Sequence, residues 1–136
     1  MKLYVGKNPR VDWVSLSPTD VDIIRSFGNG EVEEIVIDNV LHTITIDKMV
    51  EFIKVCASKL RQRGTIEIVM NDWYEICSQF VHSLLYSSDL SKLIAESQCG
   101  FSHSELIMLL VEANINITQV RHEILGYQTY VSGTKK

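Results

Sequence analysis

The residues able to do chemistry lie in a few short stretches of this sequence. Gly6 ends a short apolar run and is followed by Lys7 and Asn8. A glycine there lets the backbone approach a ligand closely, although a turn needs one equally often. Asp38 and Asn39 close a dense β-branched run, where they could contact a bound ligand or simply cap the strand end. His42, four residues after Asp38, has the residue type of a general base near neutrality, and equally of a structural donor. Lys7 and Arg10 could hold an anion or a phosphate, against the alternative of a solvated loop. His82, His103 and His122 are scattered along the chain and form no metal constellation, so no metal is expected. Cys56, Cys77 and Cys99 lie too far apart for a zinc knuckle or a redox pair, and read as reduced thiols, mostly buried. Trp13 and Trp73 read as core or cleft-lining aromatics.

Those residues need elements to hold them. Leu3-Tyr4-Val5-Gly6 and Asp12-Trp13-Val14-Ser15-Leu16 read as short strands, separated by a loop through Pro9. Val21 to Ile24 fits a third strand or a helical turn. Gly28-Asn29-Gly30 marks a turn, and Glu34 to Asp38 reads as a strand buried on both faces of a parallel sheet. From Asp47 to Leu60 the apolar residues Met49, Val50, Ile53, Cys56 and Leu60 line one helix face, with Arg61-Gln62-Arg63-Gly64 as its expected end. Thr65 to Met70 follows as a strand, then helical patterns over Trp73 to Leu85 and Asp89 to Ala95. Ser102 and Glu105 form a capping box for a further helix, with Asn114 in position to close it. Two strands, Ile115 to Val120 and Tyr127 to Val131, join around Leu125-Gly126, and the short connection makes them antiparallel. Residues 132 to 136 read as a frayed tail.

Strands alternating with helices predict an α/β fold: a Rossmann-like three-layer sandwich, mostly parallel, with a C-terminal antiparallel hairpin. At 136 residues the chain is one domain in length, and 46% hydrophobic with 22% charged residues argues against disorder. The net charge of −4 leaves no footprint for wrapping nucleic acid. Nothing at the N-terminus resembles a signal peptide, and no apolar run approaches a membrane span, so a cytoplasmic protein without membrane contact is expected.

In that order, several stretches resemble the motifs of small class I S-adenosylmethionine-dependent methyltransferases. Leu3-Tyr4-Val5-Gly6-Lys7-Asn8 is similar to their first strand and glycine-rich loop, often Leu-Asn-Leu-Gly-Cys-Gly. Trp13 to Pro18 is similar to the segment leading into their second strand. Asp38-Asn39-Val40-Leu41-His42 is similar to the Val-Leu-Glu/His-His that follows their fourth strand. Leu60 to Gly64, then Thr65 to Ile68, resembles their Leu-Lys-Pro-Gly-Gly turn into the fifth strand. Gly100 to Leu106 and Leu110 to Asn114 are similar to their late helix. The resemblance runs from residue 3 to about 131.

It implies S-adenosylmethionine as cofactor, with Gly6, Lys7, Asn8, Ser17 and Asp38 at the cofactor and Asp38, Asn39 and His42 as candidates beside the acceptor. In the family the sequence departs from, the loop has a second glycine where Asn8 stands, and the second strand ends in an acidic residue where Ser17 stands. Serine cannot make the charged bidentate contact of a carboxylate to ribose hydroxyls, and Lys7 is a poor neighbour for a sulfonium. Asp20 and Asp22 lie close by but out of register. The resemblance thus supports two functions, methyl transfer to an unknown acceptor or a catalytically silent domain that binds a protein partner or itself. A phosphate- or nucleotide-binding module using Lys7 and Arg10 is a third. The chain begins at the first strand, where many family members have an N-terminal lid helix, and a partner chain supplying that cover would make a homo-oligomer.

Overall fold

The computed structural model describes residues 1–82, 84–123 and 126–136, the side chain of Val21 apart. Six strands form one sheet in the order β2-β1-β3-β4-β6-β5. They are β1 (Lys2–Val5), β2 (Val14–Leu16), β3 (Val32–Asp38), β4 (Leu60–Asn71), β5 (Ile115–His122) and β6 (Gln128–Lys135). The β2/β1, β1/β3 and β3/β4 pairs are parallel, and β6 runs antiparallel between β4 and β5. The expected mostly parallel sheet with an antiparallel C-terminal pair is what forms. Leu125, placed at the tip of that pair, lies outside the described residues.

Period-two alternation decides which face is apolar. Leu3, Ile35 and Ile66 stand in one register row, and Val5, Ile37, Ile68 and Val131 in another; all are buried. Helices α1 (Ile46–Lys59) and α4 (His103–Glu112) cover these rows, together with a 3-10 segment over Pro18–Ser26. Met49, Phe52, Ile53, Cys56 and Ala57 of α1 and Leu106 and Leu110 of α4 complete the core. The opposite face presents Lys2, Tyr4, Glu34 and Glu67, where a three-layer sandwich was expected to continue. Over β1 its cover is a loop instead of a helix: Arg10 lies over the Tyr4 ring at 4.9 Å and the Trp13 ring at 5.1 Å. Residues 6–13 connect two parallel neighbours and are too few to include a crossover helix.

Local chemistry explains the remaining boundaries. The α4 capping box forms as its sequence predicts, and Asn114 takes a left-handed φ of 64°. Helix α1 ends differently from expectation. The Leu60 N–H closes it on the Cys56 carbonyl and β4 starts at once, so Arg61 to Gly64 are strand residues instead of a terminator. Arg63 has φ 62° beside the irregular β3/β4 register, and a Cβ on Gly64 would lie 3.0 Å from the Glu33 carbonyl oxygen. Helices α2 (Trp73–Val81) and α3 (Ser87–Glu96) stand where two helical patterns were read. Residues 132–135, expected as a frayed tail, belong to β6: Ser132, Gly133 and Thr134 pair with both β4 and β5, and Lys135 with β5.

Candidate functional site

Strand order reverses at β1: the chain passes from β1 outward to β2, then crosses back to β3 on the other side. In open parallel sheets the crevice beyond the carboxyl ends at such a switch is where ligands bind. Gly6, Lys7 and Asn8 leave the end of β1 there, Ser17 leaves β2, and Asp38 and Asn39 end β3. The expected site residues therefore share one edge, although they interact in ways the sequence did not foretell.

Tyr4 dominates this edge. Its side chain is 1% exposed, and its hydroxyl donates to Asp38 Oδ2 at 2.8 Å. Burial raises the phenol above its usual pKa, and the adjacent carboxylate adds to the effect. A Cβ on Gly6 would collide with that phenol, reaching 2.6 Å from Cζ. The glycine thus makes room for the chain's own tyrosine, in the place where closeness to a ligand was expected. Arg10, offered as a phosphate-binding residue, is stacked on Tyr4 and Trp13. Ser17 stands apart, its hydroxyl donating to Asp20 Oδ2 at 2.7 Å and lying 2.8 Å from Thr19 Oγ1.

The β3 side of the edge is less satisfied. Asn39 has φ 54° and its N–H donates to the Val69 carbonyl, which holds the turn, yet its buried Oδ1 has no partner among the described residues. His42 follows in a single 3-10 turn, Leu41–Thr43. Its Nδ1 is also buried without a partner among the described residues, while its carbonyl accepts from the Gln98 N–H at 2.7 Å. Burial lowers the His42 pKa, and the Lys7 cation lowers it further, against a smaller opposing pull from Glu96. A neutral imidazole therefore faces the β1 loop. Buried polar atoms normally find partners, so these two, three residues apart at the end of β3, are exceptions among the described residues.

A second constellation lies further along the same edge, and it corrects the expectation that the histidines are scattered. Asp72, fully buried just after β4, brings together His103 at the start of α4 and His122 at the end of β5. The two rings are 4.8 Å apart between centroids. His82 is exposed and takes no part. Asp72 and Thr129 were missed as site residues; the only sequence signal was an aspartate in N-cap position before Trp73. A cavity of about 590 Å³ opens beside this group, lined by Trp73, Tyr74, Cys77, Phe101, Ser102 and Glu105 among others. Of the thiols, Cys56 is buried, with its pKa pushed well up by burial; Cys99 is partly buried and Cys77 exposed.

Comparison with known proteins agrees with the fold. No protein-family model matches the sequence, and no curated protein matches it. Among solved structures, a SAM-dependent methyltransferase from Archaeoglobus fulgidus superposes with a TM-score of 0.64 at 8% identity, over 98% of this chain and 75% of that one. A SAM-dependent methyltransferase of Thermotoga maritima, described as a possible histamine N-methyltransferase, gives 0.60 at 14% identity, over 99% and 82%. Magnesium protoporphyrin IX methyltransferase of Synechocystis PCC 6803, with bound SAH, gives 0.60 at 9%, over 90% of this chain but only 51% of that enzyme. This chain thus spans about half the length of the last of these. No helix among the described residues is long and apolar enough to cross a membrane. From strand order and these superpositions together, the chain has a class I methyltransferase-like fold.

Proposed function

We propose that this protein binds an S-adenosyl ligand at the carboxyl edge of β3 and acts as a methyltransferase-like protein on an acceptor whose identity is open. The reading rests on Asn39 Oδ1 and His42 Nδ1, two buried polar atoms without partners among the described residues, beside the switch point of the fold. The neighbours that carry SAH share that fold. Tyr4 takes up the space against Gly6, so the fit is partial: polar groups on the β3 side are left to meet a ligand, and the β1 side is filled. The cofactor would supply an electrophilic methyl group. The chain's own part is orientation, with Asn39 and His42 holding polar groups and Asp38 kept in place by Tyr4. Cytoplasmic location belongs to the same reading.

A second reading has an observation of its own. Asp38 is engaged by Tyr4, and Tyr74, Val81, Leu84, Tyr86 and Ile94 leave large apolar surfaces exposed on and around α2 and α3. A silent domain that docks a protein partner or a second copy through this face fits those facts.

Thermal unfolding with and without S-adenosylmethionine or S-adenosylhomocysteine separates the two. At a hundred times its dissociation constant a ligand stabilises by about 2.7 kcal/mol, a rise of roughly 8 °C for a chain of this size. We expect that rise in wild type and its loss in Asn39→Ala. An unmoved midpoint at millimolar ligand, with dimers in sedimentation, would favour the silent domain.

A further inference from the structure

We propose that His103 and His122 form a binding site for a first-row divalent metal ion such as Zn2+, oriented from behind by Asp72 and Thr129. The argument follows the protons. The Asp72 carboxylate is fully buried and accepts four hydrogen bonds. Oδ1 accepts from the Tyr74 N–H at 3.1 Å and the His103 N–H at 3.3 Å. Oδ2 accepts from His103 Nδ1 at 2.6 Å and from the Thr129 hydroxyl at 2.8 Å. Having given its only proton to Asp72, Thr129 Oγ1 can only accept from His122 Nδ1, which lies 2.9 Å away.

Both imidazoles therefore carry their proton on Nδ1 when neutral, and both present an unprotonated Nε2. A histidine whose Nδ1–H is held by a carboxylate or an oxygen relay is the arrangement that metal-binding histidines share. Asp72, His103 and His122 bring a potential ligand atom each within 4.8 Å of one another, and the two ring centroids are 4.8 Å apart, so side-chain rotation can bring both imidazoles onto one ion. With its lone pairs already used, Asp72 serves as the orienting group, and the metal is left to the imidazoles. Glu75, in the first turn of α2, brings Oε1 to 3.9 Å from His122 Nδ1, where its charge supports the orientation of that ring, and water completes the metal's shell. Both rings are reachable, with side chains 21% and 43% exposed. Two imidazoles backed by carboxylates suit a borderline dication such as Zn2+, Co2+ or Ni2+, and are a poor set for Mg2+.

The site is independent of cofactor binding, and its test has no activity readout. Full-length protein is titrated with Zn2+ by calorimetry and with Co2+ by visible absorption. We expect one ion per chain at micromolar affinity or tighter, a rise in melting temperature, and Co2+ bands of nitrogen–oxygen coordination. His122→Ala, on the exposed end of β5, should weaken binding at least tenfold, as should His103→Gln, and Glu75→Gln severalfold. Cys77→Ser and His82→Ala should bind as wild type does. Circular dichroism and melting without metal check that each variant is folded, and His122→Ala carries the test if His103→Gln is not. The proposal is overturned if wild type shows no saturable 1:1 binding, if folded His122→Ala binds as tightly as wild type, or if Cys77→Ser is the variant that loses the ion.

Discussion

At the scale of single residues, the contact between Tyr4 and Gly6 governs the candidate site. Gly6→Ala places a methyl group against a buried phenol and should destabilise by about 1–3 kcal/mol through overpacking. In a Tyr4→Ala background the same substitution should cost much less, because the collision partner is gone. Urea denaturation of the four proteins of that cycle measures the coupling; equal costs in both backgrounds would place Tyr4 elsewhere. His42 supplies a pH dependence. Burial and Lys7 hold its folded pKa below the ordinary 6.5, so the unfolded chain binds more protons in the interval between the two values. Its contribution is therefore complete above about pH 6.5 and is lost as pH falls through the folded value. Urea midpoints of wild type and His42→Gln should converge on acidification, and parallel curves would count against a buried neutral imidazole.

At the scale of elements, Asp72 joins parts distant in sequence. One carboxylate caps α2 through the Tyr74 N–H, caps α4 through the His103 N–H, and accepts from Thr129 of β6. Asp72→Ala leaves several buried donors without an acceptor, at roughly 1–3 kcal/mol each for a first approximation, and should cost at least about 3 kcal/mol. Ser102→Ala removes only one of the two exposed bonds of the α4 capping box and should cost about 1 kcal/mol. Thermal melts of the two variants rank the effects, and a larger loss for Ser102→Ala would contradict the joining role of Asp72.

For the whole molecule, the parallel half of the sheet depends on its antiparallel end. β6 separates β4 from β5, and its last residues pair Ser132 with Glu67, Gly133 with Ile66 and Thr134 with Thr65. The same residues pair with β5, where Gly133 meets Ile117 and Lys135 meets Ile115, a core residue. Removing residues 132–136 should abolish cooperative unfolding in circular dichroism. A truncated chain that melts like wild type would return this segment to the status of a tail.

Much of this architecture was legible in the sequence, for local physical reasons. Apolar periodicity located α1, α2, α3 and α4, β-branched runs located β3 and β4, and Ser102 with Glu105 fixed the start of α4. Gly6, Lys7, Asn8, Ser17, Asp38 and Asn39 were placed on one edge because strand ends in a parallel sheet are collinear in space wherever they fall in the chain. The rest depended on contacts between distant residues. Gly64 read as a helix terminator, since nothing local distinguishes that from a strand irregularity facing the Glu33 carbonyl. Residues 132–135 read as a tail because small polar residues acquire strand structure only from the neighbours that flank them. The histidines read as scattered because His103 and His122 are brought together by a carboxylate at position 72 and a hydroxyl at 129. Sequence periodicity determined which elements form and the order in which they succeed one another. Tertiary packing alone decided that Tyr4 fills the space beside Gly6 and that two imidazoles share one buried acid, because hydrogen-bond partners are chosen in space.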